Sequence, residues 1–454
     1  MKKVRGGYDI RLAGRPSRTI QQIVPPQRLL LPRRTRRFLF GQACVEEGAR
    51  VKAGDVLARD GKNFDLPLVA PMGGTVSWTA QADHAVLGEL EPPACEEQAT
   101  PVHAPSGGET AAKRRQLVDL GAWAFVEDAY SGKLPDPQGT PAAVIVSTLR
   151  LEPYQARGDV QMMESLLGFI RGLEHLQSLL EYQPIYLLFP NVRSEFAQQV
   201  RQQLRGHAWI KLVEVPLLYP HDNMLLCARR LGFRRDQIVW TLGPDAVLAV
   251  DAALTHGRSV SSRVISLGGP GVKVPVHLRV TFGHPLEELT AGRLEESECR
   301  VINGGALNGY DATAAGQLGV DIECQGLTIV PENVERELLG WTRPGLDRRS
   351  YSNSYLSALR GSFDERMTTA MRGERRPCIS CSFCEEVCPT GVMPHLIHKL
   401  LYADRLEDVE RSRVDLCMDC GLCAFVCPSK IELREDMHEA RRRIETELHA
   451  AEEH

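Results

Sequence analysis

Apolar positions follow three different rhythms along the chain. From residue 40 to 80, short apolar runs alternate with glycine turns. Val51, Val56 and Leu57 bracket Gly54-Asp55, and Leu68-Val69-Ala70-Pro71-Met72-Gly73-Gly74-Thr75-Val76 repeats the pattern, which predicts short paired β-strands. Residues 95–115 are rich in Pro, Glu, Gly, Thr and Ala and read as a linker. Beyond 115 longer units alternate. Residues 142–147 read as a buried strand, and residues 160–182 form an amphipathic helix with Met162, Leu166, Leu167, Ile170 and Leu173 on one face. Residues 184–189 form a second strand, Ser194 caps a helix running to about Leu204, residues 210–215 form a third strand, and Asp222 opens another helix. Strands alternating with helices imply a parallel sheet covered on both faces. Residues 262–331 return to short strands, at 264–267, 276–280, 300–303 and 327–330, punctuated by Gly268-Gly269-Pro270-Gly271 and Gly304-Gly305. A charged helix at 432–450, with Met437, Ala440, Ile444 and Leu448 on one stripe, closes the chain.

These rhythms give a multidomain α/β protein of four parts. They are a barrel-sandwich hybrid over 1–95, a Rossmann-like parallel α/β domain over 115–261, a small β-grasp domain over 262–335, and a helical domain over 336–454. The first part has the shape of biotinyl and lipoyl carrier domains, whose hairpin tip holds a modified lysine. The corresponding tip here, Pro71-Met72-Gly73-Gly74, has none, so the fold is expected without the carrier chemistry.

The helical part carries the chemistry. Cys378, Cys381, Cys384 and Cys388-Pro389 form one C-x2-C-x2-C-x3-C-P run, and Cys417, Cys420, Cys423 and Cys427-Pro428 form a second. This is the cysteine run of bacterial two-cluster ferredoxins. Three thiolates on one tight loop cap three irons of a cubane, and the fourth reaches the other cluster. The expected sets are Cys378, Cys381, Cys384 with Cys427, and Cys417, Cys420, Cys423 with Cys388, holding two 4Fe–4S clusters. Zinc also takes C-x2-C pairs, but a zinc site has no use for the third cysteine and the x3-C-P extension. The other five cysteines, Cys44, Cys95, Cys227, Cys299 and Cys324, lack pairing spacing and read as free and buried.

Charge narrows the partners. A net charge of −4 predicts no strong nucleic-acid affinity. No run approaches the roughly 18 apolar residues of a membrane span, and the N-terminus lacks the apolar core of a secretory signal, so a cytoplasmic location is expected. Residues 1–40 hold eleven Lys/Arg against one acid, Asp9. That reads as a solvated arm, or as a dock for an acidic partner or anionic membrane surface. The stretch 343–376 is likewise basic, with eight Arg against four acids.

The whole chain resembles the NqrA subunits of the Na+-translocating NADH:quinone reductases and the RnfC subunits of Rnf complexes. Arg263-Val264-Ile265-Ser266-Leu267-Gly268-Gly269-Pro270 and Glu337-Leu338-Leu339-Gly340-Trp341-Thr342-Arg343-Pro344-Gly345 resemble stretches of the former, and Leu151-Glu152-Pro153-Tyr154 resembles one of the latter. The body is quinone-reductase-like, whereas the two cysteine runs are Rnf-like. The resemblance implies a β-grasp domain of the soluble-ligand-binding (SLBB) type and a peripheral cytoplasmic electron-transfer role on the inner face of the cell membrane. Its partners would be integral membrane subunits of an Nqr/Rnf-like complex, together with a ferredoxin or NADH-dehydrogenase partner. A stand-alone iron–sulfur reductase of the corrinoid-reductase kind is the alternative. The glycine-rich flavin loop of the RnfC subunits corresponds to Leu120-Gly121-Ala122-Trp123-Ala124-Phe125, where most glycines are gone and Trp123 would fill the space of a flavin phosphate. An FMN or NADH site of its own is therefore not expected, and quinone stays open as a ligand.

Three further features could bear function. Gly268-Gly269-Pro270-Gly271 could cradle an anion, or simply turn between strands. His221, in Tyr219-Pro220-His221-Asp222, could pass a proton to a quinone, or be a surface loop histidine. Glu152 follows a strand at the carboxyl edge of the parallel sheet, where open α/β sheets bind ligands, and is the expected pocket residue.

Overall fold

A computed structural model describes residues 5–79, 83–91, 109–191, 195–295, 298–333, 364–369 and 375–452. Cys95, Ser194, most of the 95–115 linker, the 337–345 stretch and most of the basic 343–376 segment lie outside the described residues, as does the Leu448 side chain.

The N-terminal part is two small sheets facing one another. One has the order Leu29–Pro32, His84–Gly88, Gly74–Thr79, Arg50–Val51, and the other Gln42–Ala43, Val56–Asp60, Leu66–Val69. Leu29, Phe40, Leu57, Leu66, Val76 and Leu87 are wholly buried between them. The Pro71-Met72-Gly73-Gly74 tip is itself buried.

The α/β part holds a five-stranded sheet ordered Ile210–Val215, Ile185–Pro190, Ala143–Ser147, Val239–Leu242, Glu127–Asp128. The first four strands are parallel and the last pairs antiparallel. Ala143–Ser147 is buried throughout, as the apolar run from Ala143 to Val146 requires. One face packs on the helices Leu166–Ser178 and Pro244–His256, and the other on Met224–Leu231. The expected 160–182 helix is two helices, Gly158–Met163 and Leu166–Ser178, because the Ser165 side chain accepts from Gly168 N–H (3.2 Å) and caps a new start. Leu167 consequently faces solvent at 69 % exposure, while Phe169, Leu173 and Leu176 face the core. The next helix starts one residue later than expected. Asn223 caps it, and Asp222 instead accepts from Leu151 N–H (2.8 Å).

A six-stranded mixed sheet forms the third part, ordered Ile20–Gln22, Val276–Thr281, Ser262–Gly268, Gly326–Pro331, Cys299–Asn303, Tyr310–Asp311. Its edge strand comes from the N-terminal arm. The backbone of that arm is tied to the body, while Arg5, Arg18 and Arg34 keep exposed side chains. Gly7 N–H donates to Val387 O (2.8 Å), Tyr8 and Tyr219 exchange backbone hydrogen bonds, Ala13 N–H donates to Glu365 O (2.9 Å), and Gly14 O accepts from Gly269 N–H (2.9 Å). Ile10 and Leu12 are buried beneath it. Residues 5–22 thus form a strap from the cysteine-rich domain across the α/β part to the mixed sheet. The Gly268–Gly271 turn is spent within the fold, since Gly269 N–H goes to the strap and Gly271 N–H to Ile329 O. These amides do not cradle an anion.

The last part contains the helices Phe383–Glu386, Pro394–Tyr402, Leu406–Arg411, Leu422–Phe425 and Leu433–Glu452. Met437 and Ala440 from the expected stripe pack on Val392, Ile397, Val409 and Val414, with Ile444 partly buried alongside. Among the described residues, no helix is long and apolar enough to cross a membrane.

Candidate redox centre and adjoining cleft

The two cysteine loops share one backbone path. Ser380 and Asp419, Ser382 and Gly421, and Gly391 and Lys430 occupy equivalent places in the two runs, and all six have positive φ, between 57° and 77° for five of them and 55° for Lys430. Left-handed backbone at four non-glycine residues costs energy, and such strain persists where the surroundings fix it. Each loop ends in a one-turn helix, Phe383–Glu386 or Leu422–Phe425, carrying the third cysteine.

The thiols stand as mutual neighbours across the two runs. Burial first, and then the charges of Cys381 and Cys427, push the Cys384 thiol up to about 11. Burial likewise pushes Cys420 up to about 12, with Cys417 and Cys388 as the opposing charges. Cys417 is raised by burial and by Cys388 in the same way. Cys388, Cys417, Cys420 and Cys423 line one small apolar cavity with Val392 and Met437, which Cys384 also reaches. Cys378, Cys423 and Cys427 pack around Cys384, Ile431 and Leu433. Cys423 lies near both groups and has Cys384 among its charged neighbours. Crowded buried thiols without a cation remain protonated, and metal binding removes that penalty along with the protons. Among the described residues, no three His, Cys, Asp or Glu side chains converge to hold a single metal ion. A cubane makes a different demand, because each thiolate binds a separate iron. Polar neighbours reach the sulfurs: Ser380 N–H donates to Cys378 Sγ (3.4 Å), and Thr390 Oγ1 lies 3.4 Å from Cys388 Sγ. The residues present fit a pair of clusters.

The two loops differ in surroundings. Ile379, in the first, is 67 % exposed. The second is held against the body: Tyr219 Oη donates to Cys420 O (2.8 Å), Asp419 takes a two-pronged ion pair from Arg434 (2.8 and 3.0 Å), and Arg434 also donates to Leu307 O (2.8 Å). Beside this second loop opens a cleft of about 1050 Å³. Its walls are the carboxyl ends of the parallel strands, the mixed sheet, and Cys417-Met418-Asp419.

Glu152 lies in that cleft, buried, at the sheet edge. Its Oε1 accepts from Leu307 N–H (3.0 Å) and Asn308 N–H (2.7 Å), and its Oε2 accepts from Gln155 Nε2 (2.8 Å). Burial raises its pKa above the ordinary range despite these donors. Trp123 does not fill the cleft. It is 1 % exposed, donates Nε1–H to Pro135 O (2.9 Å) and packs edge-on to Trp240, while Phe125 lines the cleft in its place. The N-terminus of Pro244–His256 opens on the cleft, but Asp245 sits there, ion-paired with Arg150 and Arg263. His221 is fully buried rather than a surface residue. Its Nδ1 accepts from Arg230 (2.9 Å) and its Nε2 meets Gly6 O (3.1 Å), so it ties the strap down. Desolvation lowers its pKa to about 4. Cys227 and Cys324 are buried, Cys299 is partly so, and Cys44 is exposed, contrary to its expected burial. Sequence reasoning missed Tyr219, Asn308 and Arg434, since each acts across a separation that no local spacing encodes.

Known proteins share this architecture. Family models match for the NqrA N-terminal barrel-sandwich hybrid domain (residues 2–90), the NqrA second alpha/beta domain (109–259), the NQRA C-terminal domain (264–314) and a 4Fe-4S dicluster domain (377–431). Relatives named as the NqrA subunit of Na(+)-translocating NADH-quinone reductase include one from Alcanivorax borkumensis, 28% identical over 89% of this chain and 90% of its own length. Those from Yersinia pseudotuberculosis and Pseudomonas aeruginosa are each 27% identical with the same coverage. A solved structure of an air-oxidized NAD+-reducing [NiFe]-hydrogenase aligns at TM-score 0.37 and 13% identity over 51% of this chain and 48% of its own, too distant to bear on the fold. Three successive NqrA domain models and relatives matched along nearly the whole length place the chain in the family of NqrA subunits of Na+-translocating NADH-quinone reductases, in a form that also carries a 4Fe-4S dicluster domain.

Proposed function

We propose that this chain is the peripheral electron-transfer subunit of an Nqr/Rnf-type oxidoreductase, with Cys378, Cys381, Cys384 and Cys427 holding one 4Fe–4S cluster and Cys417, Cys420, Cys423 and Cys388 the other. The observation that carries this reading is the pair of matching cysteine loops whose fourth thiols cross over. Cys427 neighbours Cys384, and Cys388 neighbours Cys417 and Cys420. Bound clusters supply one-electron chemistry at a potential set by burial and by hydrogen bonds to sulfur. The chain's own residues do the rest. Val392, Pro394 and Met437 keep water from the second set, Ser380 N–H and Thr390 Oγ1 approach sulfur, and Arg434 and Tyr219 fix the second loop on the body. The exposed first loop suits a protein partner, and the cleft beside the second suits a small redox molecule such as a quinone. On this reading the chain works at the cytoplasmic face of the membrane through integral membrane subunits, exchanging electrons with a ferredoxin or an NADH-dehydrogenase unit. The name its relatives carry, that of an NADH-quinone reductase component, supports this.

Two measurements test it. Anaerobic purification of the tagged chain in mild detergent should bring down integral membrane flavoprotein subunits in fixed ratio; a chain recovered alone, or with a soluble enzyme, would favour a stand-alone reductase. Cys381→Ser should remove one of two cluster signals in electron paramagnetic resonance and abolish turnover. Retention of both signals in that variant would overturn the ligand assignment.

A further inference from the structure

One hydrogen-bonded chain joins the cleft to the second cysteine loop. Asn308 Nδ2 donates to Tyr219 Oη (2.8 Å) and lies 3.4 Å from Glu152 Oε2, while Tyr219 Oη donates to Cys420 O (2.8 Å). The path from carboxylate to ligand loop therefore crosses only two side chains. Glu152 is buried and has no cationic partner among the described residues, an arrangement that neutralises readily on any added negative charge nearby. The network also holds one orphan. Asn308 Oδ1 is buried and accepts no hydrogen bond among the described residues. Rotating the Asn308 amide by half a turn would bring that oxygen to Glu152, where a protonated carboxyl could donate to it. The same rotation would offer Tyr219 Oη an acceptor in place of Cys420 O. Protonation at Glu152 and hydrogen bonding at the ligand loop are thus linked through a single amide.

We propose that Glu152 is a redox-linked proton acceptor: it takes up one proton from water in the cleft when the set Cys388, Cys417, Cys420 and Cys423 gains one electron, and releases it on reoxidation. The proposal rests on the two-cluster reading above. The balance is one electron, delivered by the other cluster, and one proton, which ends bonded to a Glu152 carboxylate oxygen. No other bond forms or breaks. The remaining charged groups around Glu152 are accounted for. From the α/β part these are Asp222, whose charge opposes that of Glu152, and Arg150, which pairs with Asp245. Tyr219 keeps its proton, because burial and the charges of Glu152 and Cys420 raise its pKa well beyond its ordinary value. From the cysteine-rich part, Asp419 is neutralised by Arg434, with His438 beside it. Arg441, Tyr310 and Asp321 line other parts of the cleft wall. Asp222 and Asp321 are the rival acceptors, since burial raises both carboxyls to about 6.

The test is a set of anaerobic redox titrations of the cluster-loaded chain, followed by electron paramagnetic resonance at several pH values. One cluster's midpoint should become more negative as pH rises, its reduction equilibrium shifting by up to about tenfold per pH unit within the active window, while the other stays flat. Glu152→Gln should flatten the first and leave the second unchanged, and Tyr219→Phe should reduce the slope. Reduced-minus-oxidised infrared spectra of the wild type should show a protonated-carboxyl band that shifts on isotopic labelling of glutamate. That measurement needs no variant to fold. Flat midpoints for both wild-type clusters would overturn the proposal. So would a slope that survives Glu152→Gln, or one lost only in Asp222→Asn or in Asp321→Asn. A wild-type chain purified without clusters would instead remove the two-cluster reading.

Discussion

Asp222 shows how a residue can be well placed for its neighbours and costly for the fold. Its carboxylate accepts from Leu151 N–H, yet burial lifts its pKa to about 6 from an ordinary 3.8. The folded chain therefore keeps a proton that the unfolded chain has already lost. The stabilisation is present below the unfolded value and fades as pH climbs through the window from 3.8 to about 6. Asp222→Asn retains an acceptor for Leu151 and cannot ionise. The variant should match the wild type near pH 4 and exceed it by on the order of 2–3 kcal/mol at pH 7, read as a thermal-unfolding gap that widens with pH. A gap independent of pH would show that the carboxylate is relieved by some other contact. Asp245 behaves in the opposite way. Arg263 and Arg150 more than offset its burial and hold it well below the ordinary range, so its contribution is lost only in strong acid. Glu152 was legible in the sequence because it follows a strand at the sheet's carboxyl edge. Asn308 and Tyr219 were not, because 89 positions separate two atoms that stand 2.8 Å apart.

Among the elements, helix contacts are set by what glycine leaves out. A Cβ on Gly172 would stand 2.3 Å from Val247 O, so Leu166–Ser178 can lie against Pro244–His256 only while that position has no side chain. Gly172→Ala should gain up to about 1 kcal/mol of helix propensity and lose more to overpacking, typically about 1–3 kcal/mol. Urea unfolding should therefore show net destabilisation, and a more stable variant would mean the helices can part at little cost. The inner strands Ala143–Ser147 and Ile185–Pro190 were readable because burial on both faces leaves a near-continuous apolar run. The helix break at Ser165 was harder to see, since the apolar spacing runs through it and only the serine hydroxyl marks the new start. The basic arm misled for a related reason. Composition records its arginines but not that Arg37 turns inward to Glu323 and Ala124 O, or that Gly6, Gly7 and Gly14 let the backbone run close to its neighbours.

At the scale of the whole molecule, the cysteine-rich domain has a small core, drawn from Val392, Ile397, Val409, Val414, Met437 and Ala440. A core of that size leans on bound metal for stability. Stripping iron with a chelator under oxidising conditions should make residues 375–452 sensitive to protease while the α/β part stays resistant; equal resistance of both would mean that the domain stands without its clusters. The strap has a consequence of its own for biogenesis. Gly7 hydrogen-bonds Val387 across roughly 380 positions. On the ribosome the Gly7 end of the arm must therefore wait for its partner until Val387 has been made. Its edge strand can dock once Val276–Thr281 emerges, but its contact beside Cys388 comes only with the last part of the chain. The arm's last contact thus forms after the body it crosses, and a bulky fusion ahead of the arm would burden that closing step rather than an early one.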